Sequence, residues 1–225
     1  TRPRTHSEYI NIYTRLRIKQ VPRARIRHGV VSVIKLLRKA PCSVLFIPEL
    51  VKESIDSIVV PTDFSEHSSL AVELGKTVAS VFSAKDLHVL HIYQDASKYL
   101  GQVFETVHEV NEILDKKKEI DAKLNTYATH KLNEYVEKFS DESSNMVPHI
   151  ASIDRSQDVG SAVEVWVNKH APDLVILGSK GENSAAATLL GSVSEHMNEN
   201  DTEHLMIVIK RKGENKSLLK MLLGG

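Results

Sequence analysis

The sequence predicts an open α/β sheet of five parallel strands with helices on both faces. Three observations carry this. Short β-branched runs alternate with helical patterns from residue 57 to 209, the signature of a covered parallel sheet. The strands read as continuous apolar runs rather than alternating ones, as burial on both faces demands. Glycines cluster in one strand–loop–helix connection, Gly178 to Gly191.

Taken in order, Ser57–Pro61 is a buried strand ended by proline. Leu70, Leu74, Val78, Val81 and Phe82 then recur at helical spacing and predict one apolar helix face. Leu87–Tyr93 is the second strand. A polar connection, 94–110, leads to a long amphipathic helix with Ile120, Leu124, Tyr127, Leu132, Tyr135 and Phe139 on its stripe. Met146–Ser152 is the third strand, and Pro148, which cannot donate to a ladder, puts it at an edge. Asp158 caps a helix whose inward residues are Val163, Trp166, Val167 and His170. Asp173–Leu177 is the most apolar strand and is placed centrally. A short helix from Gly191 and a last strand, Leu205–Ile209, complete the domain, and Leu218–Leu223 in the tail suggests a small docking helix.

The N-terminal segment repeats the end of this pattern. Gly29–Ser32 through Val44–Ile47 superposes without gaps on Gly191–Ser194 through Met206–Ile209. The expected organisation is therefore 1–50 as the C-terminal remnant of a degenerate first repeat, 51–55 as linker, 56–210 as a complete domain and 211–225 as a polar tail. The opening lacks methionine and starts mid-pattern, so a fragment is expected. Terminal strands leave edges that a twin covers, which predicts pairing of Val44–Ile47 with Leu205–Ile209, within the chain or in a homodimer.

Charge narrows the partners. Residues 1–48 carry eleven Lys/Arg against the single acid Glu8, and the remainder balances this to a net charge of zero. No aromatic or zinc-finger pattern accompanies the arginines, so nucleic acid is disfavoured. No run reaches the ~18 apolar residues of a membrane span and no secretory signal is visible. One cysteine, Cys42, makes no intrachain disulfide. A cytoplasmic protein is expected.

The chemistry sits in two elements. Gly178-Ser179-Lys180-Gly181, then nine intervening residues, then Gly191-Ser192-Val193-Ser194, runs from a strand into a helix start. Free amides there, the helix dipole and the Ser192 and Ser194 hydroxyls suit a phosphate, the glycines letting the backbone approach it. Pro61-Thr62-Asp63 ends the first strand, where ligands of open parallel sheets bind. Asp63 is either a helix cap for the segment from Ser65 or an acceptor for an adenine amino or ribose hydroxyl group; pairing with the glycine loop favours the ligand role.

These residues resemble the universal stress protein family. PTDFSE at 61–66, LHVLHIY at 87–93, DLVILGSKG at 173–181 and GSVSE at 191–195 carry the likeness, with the glycine spacing of the ATP-binding members. The resemblance implies a Rossmann-like sheet in order 3-2-1-4-5, Asp63 on adenine or ribose, and Ile92 lining the adenine pocket. It further implies ATP ribose and phosphates on Gly178, Gly181, Gly191, Ser192 and Ser194, Mg²⁺ held through ATP, and dimer-like pairing of last strands. Lys180 either touches phosphate or is solvated, while Glu182 places a like charge beside it. In the first repeat, Leu16 and Lys19 stand where the glycines would be, so no ATP is expected there.

Other signals fall away. His88 and His91, three apart on a strand, project to opposite faces; His196 and His204 lack metal-ligand spacing. There is no Walker A run, HExxH or GxSxG. The expected function is a nucleotide-controlled stress regulator, at most a weak ATPase, with an unknown protein partner. The alternatives are a scaffold of the same fold with no nucleotide and, behind it, an ATP-using enzyme.

Overall fold

A computed structural model describes residues 34–35, 37–38, 40, 42–48, 50–99, 107–141, 145–181, 190–201 and 203–211. The expectations for Leu16, Lys19, Gly29–Ser32, Glu182 and Leu218–Leu223 lie outside these residues. In chain order the elements are β1 (Val44–Phe46), β2 (Ser57–Pro61), α1 (Glu66–Phe82), β3 (Asp86–Gln94), a 3-10 turn (Ala96–Lys98), α2 (Val107–Glu137), β4 (Met146–Ile153), α3 (Val159–His170), β5 (Leu174–Gly178), α4 (Ser192–Asn200) and β6 (Met206–Ile209).

The sheet has six strands in order β1-β6-β5-β2-β3-β4. Its five domain strands are parallel and follow the 3-2-1-4-5 order. A sixth strand, β1, from the N-terminal segment adds antiparallel to β6, the within-chain pairing expected of Val44–Ile47 with Leu205–Ile209, in the register Val44↔Val208, Leu45↔Ile207, Phe46↔Met206. An edge strand presents unpaired N–H and C=O groups, and β1 satisfies those of β6. At the far edge β4 bonds only β3 among the described residues, so Pro148 is tolerated there.

Two cores follow from strand parity. Ile58, Val60, Leu87, Val89, Leu174 and Ile176 point to one face and meet α1 and α2. Their neighbours Val59, Leu90, Val175 and Leu177 point to the other, against α3 and α4. Ile34 and Leu37, from the N-terminal segment, join this second core.

Three helix faces differ from the periodicity. Val81 and Phe82 are exposed, because α1 turns Ala71, Val72, Gly75 and Ala79 to the sheet. A methyl group on Gly75 would lie 2.9 Å from Leu87 Cδ1, so small residues set how closely this helix sits. Tyr127 is exposed while Ala128 and Leu132 are buried; one residue of helical rotation moves the stripe by about 100°. His170 is exposed as well, lying at the end of α3 and stacked on Trp166 at 4.0 Å.

Ser65 caps α1 and Asp158 caps α3, each accepting from the third residue on, Ser68 N and Ser161 N. No helix among the described residues is long and apolar enough to cross a membrane.

Candidate functional site at the strand C-termini

The chain runs β2, β3, β4 outward on one side of β2, then returns to place β5 on the other. That reversal marks the place, beyond the C-terminal ends of β2 and β5, where open parallel sheets form a ligand crevice. Asp63 stands at the first rim and the loop from Gly178 at the second.

The two rims touch. A side chain on Gly181 would begin 2.8 Å from Asp63 Oδ2, so the carboxylate occupies the space that glycine vacates. Asp63 Oδ1 accepts from Ser65 N at 3.1 Å. The cap of α1 is Ser65, and Asp63 supports it through the preceding turn rather than being it.

Gly191 closes the third side. Its own Cβ would meet Gly181 N and Lys180 at 3.3 Å, and its N–H donates to Ser179 O at 2.7 Å. Ser179 N in turn donates to Ile209 O, and Ser179 is buried. As N-cap of α4, Gly191 makes no side-chain cap bond, which leaves the first-turn amides of that helix to other partners. Ser192 is exposed and Val193 half-buried.

Two expected roles change. Gly178 is bare for a protein reason, since a Cβ there would lie 3.0–3.1 Å from the backbone of His67 and Ser68 in α1. The buried Ser194 hydroxyl donates to Gly178 O at 2.6 Å, so its proton is already used and it offers a ligand only lone pairs. The loop between 181 and 190 lies outside the described residues.

On the other rim, Thr62 is buried and fully engaged. Its N–H donates to Leu90 O, its hydroxyl donates to Ser68 Oγ at 3.1 Å and accepts from Phe64 N at 3.0 Å, and its carbonyl accepts from His91 Nδ1 at 2.9 Å. Pro61 ends β2 opposite Leu90. β3 runs four residues beyond that pair, to Gln94, about 13 Å past the end of β2. Ile92, 8% exposed, lies on this overhang with its side chain in the second core.

The sequence did not single out Phe64 or His91 for this rim. Phe64 has φ 66° and packs on the His91 ring at 4.3 Å. Burial pushes the His91 pKa down, so the ring is neutral near pH 7 and donates from Nδ1 to Thr62 O. Strand parity does place His91 on the Thr62 side; nothing in the sequence reveals the backbone angle of Phe64.

Another histidine pair lies elsewhere. His88 and His149 share a 2.9 Å hydrogen bond against Trp166 on the opposite face, and burial lowers both pKa values. No group of three or more His, Cys, Asp or Glu among the described residues is placed to hold a metal ion. A cavity of about 140 Å³ lined by Pro48, Lys52, Asp173 and His204 opens at the opposite, N-terminal ends of the strands, away from this crevice.

Comparison with known proteins gives one family. Residues 54–208 match the profile of the Universal stress protein family. The chain is 26% identical over 168 residues to Universal stress protein MJ0577 of Methanocaldococcus jannaschii, covering 69% of this chain and 94% of that protein. In structure it is similar to MJ0577 (TM-score 0.51, 21% identity, 70% of this chain and 97% of that one). It is also similar to UspA from Lactobacillus plantarum (TM-score 0.50, 20% identity, 71% and 100%). A universal stress protein from Archaeoglobus fulgidus matches with TM-score 0.51 and 20% identity, over 80% of this chain and 53% of that one.

Proposed function

This chain belongs to the universal stress protein family, and from that premise we propose that its crevice binds ATP as a regulatory ligand. The observation that carries the reading is the contact of Asp63 with Gly181, which brings the end of β2 onto the glycine loop. An adenine nucleotide spans such a crevice with its base over the β2–β3 side and its phosphates at the start of α4.

The residues divide accordingly. The overhang of β3 serves the base: Leu90 O bonds Thr62 N, so the main chain of Ile92, two residues on, faces the same side where β2 has already ended. Asp63 accepts from the ribose or the adenine amino group, with Pro61 and Thr62 fixing its turn. Gly181, Lys180 and the first-turn amides of Ser192 and Val193 take the phosphates, helped by the helix dipole. Mg²⁺ would bind through the phosphates. Gly178, Ser179, Gly191 and Ser194 shape the loop from behind. No nucleophile and base are paired here among the described residues, and slow turnover at most belongs to the same proposal. A cytoplasmic setting belongs to the same proposal.

Calorimetry and thermal shift with Mg-ATP test this. Binding raises the melting temperature at millimolar ATP by mass action, and Asp63→Ala removes that rise. A second reading, a scaffold with no nucleotide, is favoured by the way Gly178, Gly181 and Gly191 are each filled by protein atoms. No stabilisation by ATP would leave that reading standing.

The organisation into repeats is part of the proposal. Under the ungapped superposition Leu45 corresponds to Ile207, 162 residues on, and Leu45 pairs with Ile207. Val44 and Phe46 pair crosswise with Val208 and Met206, as equivalent strands do about a twofold axis. This supports 1–50 as the end of a first repeat, 51–55 as linker, 56–210 as the second domain and 211–225 as its tail.

A further inference from the structure

Three non-glycine residues among those described have positive φ: Phe64, Ser83 and Ala171. Two are explained by helix termination. Ser83 ends α1 and Ala171 ends α3, each left-handed and each donating its N–H to the carbonyl four residues back, an ordinary C-terminal arrangement. Phe64 ends no helix. It precedes the cap of α1 and immediately follows Asp63, and a bulky side chain at φ 66° is strained.

Strain of this kind persists only where surroundings hold it. Here the ring is held on three sides. His91 lies 4.3 Å away, Tyr135 of α2 meets it edge-on at 5.2 Å, and Lys131 Nζ stands 4.4 Å over its face. Tyr135 is itself tied to α1 through Ser69 Oγ at 3.0 Å. His91 fixes the same turn a second time through Thr62 O.

We infer that Phe64 is the positioning residue for Asp63: its ring, gripped by β3 and α2, holds the left-handed turn that lays the Asp63 carboxylate against Gly181. The nucleotide reading supplies only the ligand for this device. The geometry itself is a property of the chain.

The test uses the full chain carrying Phe64→Asn, since asparagine tolerates a left-handed backbone but offers no ring to grip. Hydrogen exchange without nucleotide is read at residues 178–181 and across β4 and α3, and Mg-ATP affinity is measured separately. The expected result is exchange at least fivefold faster at 178–181 with β4 and α3 unchanged, and at least fivefold weaker ATP binding. Phe64→Tyr restores both. Because loss of a half-buried ring can unfold a protein, Lys131→Met is the second variant, read by exchange alone, with an expected increase of about twofold at 178–181 from loss of the cation–ring contact. Unchanged exchange at 178–181 in both variants overturns the inference, as does a uniform increase over the sheet, which marks an ordinary core residue. If the wild type binds no Mg-ATP, the nucleotide reading fails while exchange still decides the role of Phe64.

Discussion

Asp63 Oδ2 sits 2.8 Å from where a side chain on Gly181 would start. The acid at the end of β2 and the glycine in the loop after β5 therefore share one volume. A ligand that reaches either residue meets both, and a change at one is felt by the other.

Gly181→Ala follows directly. The carboxylate is the end of a flexible side chain, so it can swing aside, and the fold is expected to lose under ~1 kcal/mol. The nucleotide site loses its acceptor position. Mg-ATP affinity measured by calorimetry falls about tenfold, or ~1.4 kcal/mol.

Gly178→Ala behaves oppositely. Its new methyl meets His67 and Ser68 backbone at 3.0–3.1 Å, which cannot move without shifting the start of α1. Overpacking of this kind costs ~1–3 kcal/mol. Urea unfolding should show a lower midpoint with an unchanged slope.

The turn from α4 into β6 makes stability depend on pH. Buried Asp201 accepts from Glu203 N, His204 N and His204 Nδ1. Burial raises the Asp201 pKa, but the His204 and backbone hydrogen bonds outweigh it and leave the value below the usual carboxylate range. The Asp201 hydrogen bond raises that of His204 above 6.5. The histidine contribution is complete below pH 6.5 and is lost as pH rises through the raised value; the aspartate contribution is present above its ordinary pKa of 3.8 and is lost as pH falls through the lowered one. Asp201→Asn should cost ~1–3 kcal/mol near pH 6, with the difference from wild type narrowing toward pH 9 in urea titrations.

Removing residues 1–50 exposes the inner edge that β1 covers. Because the β1–β6 register is symmetric about Leu45 and Ile207, β6 is complementary to a second β6. The truncated chain is expected to dimerise in light scattering, and Val208→Pro to keep it monomeric, since the odd residues of β6 bond β5 while the Val208 N–H faces the side that β1 leaves, where proline removes a ladder donor.

Much of the fold was legible because burial on both sheet faces leaves strands as unbroken apolar runs. Ile58, Val59 and Val60 announced a central strand whichever face each served. Helix rotation was less legible. Tyr127 and Phe82 satisfy a helical spacing, yet Ala128 and Ala79 are the buried residues, because close approach rewards small side chains and periodicity favours large ones. At the site, composition and order marked Asp63 and the glycines. Composition could not say what each glycine makes room for: α1 backbone at Gly178, a carboxylate at Gly181, the loop itself at Gly191.

The sequence by itself determined the succession of strands and helices, the five parallel strands and the residues gathered at their C-terminal ends, since local pattern and chain order suffice for these. Tertiary structure alone decided the antiparallel register of β1 on β6, that Asp63 would meet Gly181, and that Phe64 would be held with φ 66° between β3 and α2. Each of these joins residues far apart in the chain, or a backbone angle to a distant ring, and such contacts arise only when separate elements pack.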